Sequence, residues 1–397
     1  MTDFLHIDPD DLLLDSFRLG RAVYETGFRP KHAISIWRGG TPIGLGVDAY
    51  FRFQGLNVHH TSIATSSYEG VGVQREVIVK GLEHLVRSVC PEDGLLIIDD
   101  VYESGRTIEA IVDTLRKRAR LNAPRDIRIA TVHRKPDKNV YKELPVLALH
   151  DLPNDTWIAY PHEIGELLSD DDPTEQRIKD KSPELARILA ADGFESQERH
   201  VDGPYTYVSA TELLHDSFRL GVSIAKSGYE PDFLIALWPG GVWTGLAVHE
   251  VYKYLLQKQG RDDAGPDHVP LNTTQTHLSY KMNVLGLDYL SEHVKAEHDV
   301  LIIDTTFRSG RLASDVVTTL KETLRRNIEL RRVKLASVYW NPDDDSTWIS
   351  RPFQRRPDFY LRKVDRYIVY PYSPHRLKNP RKELRELNPA LAEILFG

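Results

Sequence analysis

Cysteine is almost missing from this chain. Cys90 is the single one among 397 residues, so no intramolecular disulfide can form. That usage suits a reducing compartment, and the cytoplasm is the expected location. The neighbours Val89 and Pro91 do nothing to activate a thiol, so Cys90 is expected to be a buried filler and not a nucleophile. Long apolar runs are also missing. No stretch approaches the length of about eighteen residues that a membrane span needs, and Met1-Thr2-Asp3 opens no basic-plus-apolar leader, so no membrane partner is expected. Positive charge is not in excess: 51 Lys and Arg stand against 58 Asp and Glu, a net charge of −7. Without a Lys/Arg block interleaved with aromatics, this argues against a nucleic-acid partner, although it does not exclude a locally basic cleft around a small anion. What remains, 41% hydrophobic and 27% charged residues, is the composition of an ordinary soluble globular protein.

The chain says almost everything twice. Asp15-Ser16-Phe17-Arg18-Leu19-Gly20 recurs as Asp216-Ser217-Phe218-Arg219-Leu220-Gly221, and Ile36-Trp37-Arg38-Gly39-Gly40 as Leu237-Trp238-Pro239-Gly240-Gly241. Leu96-Ile97-Ile98-Asp99 returns as Leu301-Ile302-Ile303-Asp304, and Ser104-Gly105-Arg106 as Ser309-Gly310-Arg311. Ser182-Pro183-Glu184-Leu185 near the end of the first copy matches Asn388-Pro389-Ala390-Leu391 near the end of the second. The offset drifts only from 201 to 210 residues, which marks a whole-domain duplication and not a solenoid. The expected domains are 1–196 and 197–397, divided in the polar stretch Glu195–His200. Each copy opens on a helix start, with Asp8 and Ser209 as caps and an acid three residues on.

The most informative run is Leu95-Leu96-Ile97-Ile98-Asp99-Asp100-Val101-Tyr102-Glu103-Ser104-Gly105-Arg106-Thr107. Its apolar part predicts a buried parallel strand, and the segment after Thr107 has helical spacing. Adjacent acids at the end of a strand can hold a diol or a metal, and a Ser-Gly turn into a helix presents N–H groups to a phosphate. Together they predict a sugar-phosphate site. Around it the first copy reads as a helix over Pro9–Thr26, a strand over Ala33–Trp37, a helix ending near Phe53 and a strand over Asn57–Ala64. A helix follows over Ile78–Ser88, then strands over Gly94–Ile98 and Ile127–Val132 flanking a helix over Thr107–Arg120. This alternation predicts an α/β fold in which each copy is a mainly parallel sheet flanked by helices, with ligands beyond the carboxyl ends of the strands. Two such copies are expected to pack with approximate two-fold symmetry as an internal pseudodimer, and further homo-oligomerisation is compatible with that.

The thirteen-residue run resembles the phosphoribosyl-pyrophosphate motif of type I phosphoribosyltransferases, and most of residues 10–165 resembles the bacterial xanthine-guanine enzymes of that family. The fold this implies is two tandem domains of that kind. The activity it implies is transfer of phosphoribose from phosphoribosyl pyrophosphate to a nucleobase, a 6-oxopurine, with Mg²⁺ as cofactor. Arg38, Gly39 and Gly40 stand at the pyrophosphate turn; Ser67, Tyr68 and Arg75 at the segment that closes over the reacting centre; Ser104, Gly105, Arg106 and Thr107 around the 5′-phosphate. Asp99 and Asp100 face the ribose hydroxyls and the metal, with Glu163 as a further metal acid. Glu103 replaces the family's usual Asp as the base, Lys135 donates to the exocyclic oxygen, and Trp157 and Ile158 hold the purine ring.

In the second copy Arg38 becomes Pro239, Asp100 becomes Thr305, Glu103 becomes Arg308, Thr107 becomes Leu312, Lys135 becomes Asn341 and Trp157 becomes Tyr367. That copy is therefore expected to be inactive in transfer, although Arg308-Ser309-Gly310-Arg311 could still hold an anion. Two other readings of the whole chain stay open: transfer to a specialised non-purine heterocycle, and a non-catalytic sensor of phosphoribosyl pyrophosphate or a nucleotide.

Overall fold

Apolar runs such as Ala33–Trp37 and Leu95–Ile98 can be accommodated only where a strand is covered on both faces, and both become inner strands of parallel sheets. The computed structural model describes residues 3–68, 76–168, 172, 175–199, 205–261, 265–275, 282–342 and 353–397. The chain forms two compact units, one of residues 1–158 with 369–397 and the other of residues 159–368.

The first unit is built on six strands in the order Glu76–Lys80, His59–Tyr68, His32–Trp37, Gly94–Tyr102, Asp126–Arg134, Val146–Asp151. All neighbours pair parallel except Glu76–Lys80, which runs antiparallel to His59–Tyr68. One face is covered by Leu82, Leu85, Ile108, Ile111, Val112 and Leu115, packed on Ile34, Ile36, Leu95 and Ile97. The helices Pro9–Glu25 and Gly40–Phe53 pack on each other and on the sheet. Asp8 caps the first of them by accepting from the Asp10 amide, as its position before Pro9 predicts.

The second unit repeats this plan with seven strands, in the order Met282–Leu285, Asp267–Gln275, Phe233–Trp238, Val300–Phe307, Val333–Trp340, Phe359–Val364, Gln197–Arg199. Ser209 caps its first helix, Ala210–Lys226, by accepting from the Glu212 amide at 3.0 Å.

Three expectations are corrected. Ile78–Ser88 is not one helix: Glu76–Lys80 is an edge strand, and the helix is confined to Glu83–Ser88. The consecutive β-branched residues Val77, Ile78 and Val79 favour a pleated partner over a helical turn. Cys90 is exposed and not buried; it begins a tight turn in which its amide donates to Asp93 at 2.8 Å. Finally, the compact units do not divide where the sequence repeat does. The helix Pro183–Ala190, which closes the first copy, packs on Ala210–Lys226, and Pro389–Phe396, which closes the second, packs on Pro9–Glu25. The polar stretch read as a boundary supplies the strand Gln197–Arg199 beside Phe359–Val364. Each unit is thus completed by the closing segment of the other copy.

Candidate active site

In the first unit the strand Gly94–Tyr102 carries Asp99 and Asp100 out of the apolar core at its carboxyl end. Asp100 is buried and Asp99 half-buried. Removal from water pushes the Asp99 carboxyl up to about 7, against a donation from the Asp100 amide. Burial and the neighbouring Asp99 charge raise Asp100 well above the ordinary carboxylate range.

The turn after His32–Trp37 lies directly on these acids. A Cβ on Gly39 would overlap the Asp100 carboxylate, and one on Gly40 would sit 2.5 Å from the Ile98 carbonyl oxygen. Only glycine allows this approach. The Trp37–Arg38 peptide bond is cis, as is Trp238–Pro239 in the second unit. Thr41 closes the turn, its amide and hydroxyl donating to the Arg38 carbonyl at 3.2 and 2.7 Å.

Beyond the acids the chain turns through Ser104 and Gly105 into the helix Arg106–Ala119. Gly105 has φ +77°, and a Cβ there would meet the Tyr102 hydroxyl at 2.5 Å and Tyr141 Cβ at 3.0 Å. The Ser104 hydroxyl accepts from the Arg106 amide at 3.3 Å, while its carbonyl accepts from the Val140 and Tyr141 amides, both at 3.1 Å. Tyr102 donates its hydroxyl to the Tyr141 carbonyl. Arg106 is exposed and Thr107 half-buried at the head of this helix.

In the segment His133-Arg134-Lys135, Lys135 pairs with Glu103, three residues beyond Asp100. The buried Lys135 ammonium donates to Glu103, and Lys138 stands 3.7 Å from the same carboxylate. His133 is buried beside His150, ring centroids 5.5 Å apart, and burial holds it near pKa 4. Arg134 makes a two-pronged pair with Asp151. Trp157 is 42% exposed on the short strand Thr156–Ala159, its ring 6.5 Å from that of Phe4, and Ile158 is buried.

The remaining expected residues fall elsewhere. Ser67 and Tyr68 lie in the strand His59–Tyr68, in register with Val77 and Glu76, and their side chains are outside the described residues. Arg75 is wholly outside them. Glu163 belongs to the second unit, where it accepts from the Tyr160 amide at 3.3 Å.

Sequence reasoning missed Asn139, whose amide donates to the carbonyls of Glu103 and Lys135 and so fixes the two against each other. No local pattern announces it, because Glu103 is 36 residues away in sequence. It also missed a row formed by Ser35, His60 and Asp48, with Ser35 2.7 Å from His60 and His60 3.6 Å from Asp48. All three are buried, Ser35 and His60 on neighbouring strands and Asp48 on the helix Gly40–Phe53, so the row is a packing feature.

The second unit keeps the scaffold and changes the chemistry. Burial pushes Asp304 up to about 7, as it does Asp99. Thr305, in place of the second acid, donates its hydroxyl to the Gly240 carbonyl. Asn341 repeats the backbone bond of Lys135, its amide donating to Phe307 at 2.9 Å, and its side chain reaches the Arg366 carbonyl. The Arg308 guanidinium stands 5.1 Å from the ring centre of Tyr367.

No family model matches the chain. It is 31% identical over 109 residues to a hypoxanthine-guanine phosphoribosyltransferase of Mycobacterium avium, and the match covers 27% of this chain and 50% of that protein. The corresponding protein of Mycobacterium tuberculosis (strain CDC 1551 / Oshkosh) is 32% identical over 109 residues, with the same coverage. The first part of the chain is related to the type I phosphoribosyltransferases. The chain spans about half the length of the curated phosphoribosyltransferases it matches. Among solved structures, it is similar to a hypothetical protein from Neisseria gonorrhoeae with bound ppGpp, at 18% identity and a TM-score of 0.36 over 45% of this chain and 97% of that one. A purine phosphoribosyltransferase from Pyrococcus horikoshii Ot3 follows at 18% identity and 0.31, over 41% and 95%.

Proposed function

We propose that the first unit transfers phosphoribose from phosphoribosyl pyrophosphate to a 6-oxopurine. The observation that carries this reading is convergence at one strand end: Asp99 and Asp100, the Gly39–Gly40 turn against them, the Ser104–Thr107 turn after them, and the Glu103–Lys135 pair. In the reaction the bond from ribose C1 to pyrophosphate breaks and a bond from C1 to a purine nitrogen forms. Arg38 and the Gly39 and Gly40 amides face the departing pyrophosphate, with Arg75 as a further cation, and stabilise the charge it gains. Ser67 and Tyr68 belong to the segment that closes over the reacting centre. Ser104, Gly105, Arg106 and Thr107 hold the 5′-phosphate at the head of a fourteen-residue helix.

The donor set fits Mg²⁺. Asp99 and Asp100 are hard oxygen donors whose ionised forms burial disfavours, and a divalent cation offsets that cost. When bound, the ion supplies charge neutralisation for the pyrophosphate oxygens. Asp99 and Asp100 orient the ribose hydroxyls. Glu103 accepts the proton released by the purine nitrogen. Lys135 has three N–H donors, so it can keep Glu103 and still donate to a 6-oxo oxygen. Trp157, with its exposed ring, stacks on the base, and the Ile158 backbone meets its edge.

Pyrophosphate release with hypoxanthine, guanine, xanthine and adenine tests this reading. Lys135→Ala should lower kcat/KM for the oxopurines by roughly 5- to 100-fold, because the 6-oxo oxygen and Glu103 lose their donor and a buried acceptor left unmatched costs about 1–3 kcal/mol, while the KM for phosphoribosyl pyrophosphate changes little. Equal use of adenine and hypoxanthine by the unmodified protein would instead favour a different heterocycle. No turnover of any base with Mg²⁺ would favour a sensor.

A further inference from the structure

The eroded copy has not lost its pocket. In the second unit a cavity of about 470 Å³ opens at the carboxyl end of Val300–Phe307, bounded by Asp304, Arg308, Ser309 and Arg311 on its polar side. Leu237, Ile302, Leu335 and Ala336 form its apolar side. Gly310, at φ +73°, turns the chain into the fourteen-residue helix Arg311–Leu324, matching Gly105 before Arg106–Ala119.

Charge separates the two turns. The first carries Glu103 and Arg106, one of each sign; the second carries Arg308 and Arg311, both positive. Replacing an acid by an arginine at the mouth of an N–H-lined turn converts a nearly neutral phosphate cradle into a cationic one. The metal logic is removed at the same time. Thr305 stands where the second acid would be, with its hydroxyl committed to the Gly240 carbonyl. Burial favours the neutral form of the remaining Asp304, so it opposes an anion less than an ordinary carboxylate would. Pro239 offers no cation for a pyrophosphate. The ring that would receive a base, Tyr367, has the Arg308 guanidinium against it.

We propose that this pocket is a binding site for the phosphomonoester of a small polyol, taken up without a divalent ion and without any group transfer. Arg308, Ser309 and Arg311 hold the phosphate, and the Leu237–Leu335 side accommodates the carbon skeleton. A nucleotide is disfavoured because its base would have to displace Arg308 from Tyr367.

The probe is ribose 5-phosphate, titrated calorimetrically into the full chain in EDTA. One equivalent is expected to bind at the second unit. Arg308→Gln/Arg311→Gln should weaken it at least tenfold while leaving pyrophosphate release by the first unit unchanged. Ser104→Ala/Thr107→Val in the first unit should leave this equivalent in place. Leu312→Trp, which fills the cavity without removing charge, should abolish it as well, and an unaltered circular dichroism spectrum and melting midpoint in each variant would separate loss of binding from loss of folding. No binding at millimolar concentration would overturn the proposal. So would a strict requirement for Mg²⁺, undiminished binding after the double arginine substitution, or, in the Ser104→Ala/Thr107→Val variant, binding of guanosine monophosphate tenfold tighter than that of ribose 5-phosphate. The proposal is independent of the transfer reading: a chain that turns over no base yet binds this probe in EDTA would refute only the latter.

Discussion

Asp99, Asp100 and Asp304 are held where ionisation is difficult, and the consequences depend on pH. Asp99 and Asp304 are raised to about 7, so between roughly pH 4 and 7 the folded chain keeps protons that the unfolded chain has lost. The stability these groups confer is complete below the ordinary carboxylate range and is lost as pH rises through 7. Thermal melts without metal should therefore show a falling midpoint across that window. Asp304→Asn should remove part of the fall and stabilise the protein at pH 8 by on the order of 2–4 kcal/mol, since one pKa unit corresponds to about 1.4 kcal/mol. Divalent metal needs the ionised acids, so Mg²⁺ affinity at Asp99 and Asp100 should strengthen as pH rises through 7. Titration at several pH values checks this; a flat profile would mean that these acids do not hold the ion. Asp99→Asn/Asp100→Asn should abolish pyrophosphate release, whereas Asp304→Asn should leave it near the unmodified rate. The opposite result would exchange the roles of the two copies.

Turns do most of the positioning at the level of single elements. The Ser104–Thr107 turn is held by Gly105 in the left-handed region, by the Ser104 carbonyl taking two amides, and by the Tyr102 hydroxyl on Tyr141. Gly105→Ala therefore combines about 1 kcal/mol of backbone strain with an overlap against Tyr102 and Tyr141. It should raise the KM for phosphoribosyl pyrophosphate at the first site at least tenfold while leaving ribose 5-phosphate binding at the second site unchanged. A substitution neutral at both sites would show that this turn is not part of the phosphate cradle.

Over the whole molecule, the duplication is folded with its ends exchanged. The first unit needs residues 369–397, where Phe396 sets its ring edge-on to Phe53 at 5.1 Å. The second unit is continuous from Ala159 to Ile368 and takes in Arg219 of its first helix, which donates to Glu184 from the end of the first sequence copy. A fragment of residues 159–368 should therefore fold cooperatively on its own, and one of residues 197–397 should fold less stably because it lacks Pro183–Ala190 against Ala210–Lys226. Truncation after residue 379 should lower the melting transition of the first unit and spare that of the second. Denaturation of the three proteins followed by circular dichroism distinguishes these outcomes. Among the described residues no helix is long and apolar enough to cross a membrane.

Local chemistry determined most of what recurs within a short stretch of this chain. Asp8 and Ser209 had to cap helices because their side chains reach amides two and three residues on, and Leu95–Ile98 had to be a covered strand because nothing in it can face water. The order of strand, acids, turn and helix around Asp99–Thr107 was readable for the same reason, as was the loss of Asp100, Glu103 and Lys135 in the second copy. Tertiary structure decided whatever depends on partners far away in sequence. Val77–Val79 became a strand only because His59–Tyr68 offered an edge, and Asn139 became the clamp on Glu103 and Lys135 only once two strands lay side by side. The exchange of closing helices was decided there too. A helix such as Pro389–Phe396 buries one apolar face equally well against either copy of a duplicated surface, so its pattern specifies that it must dock but not on which copy.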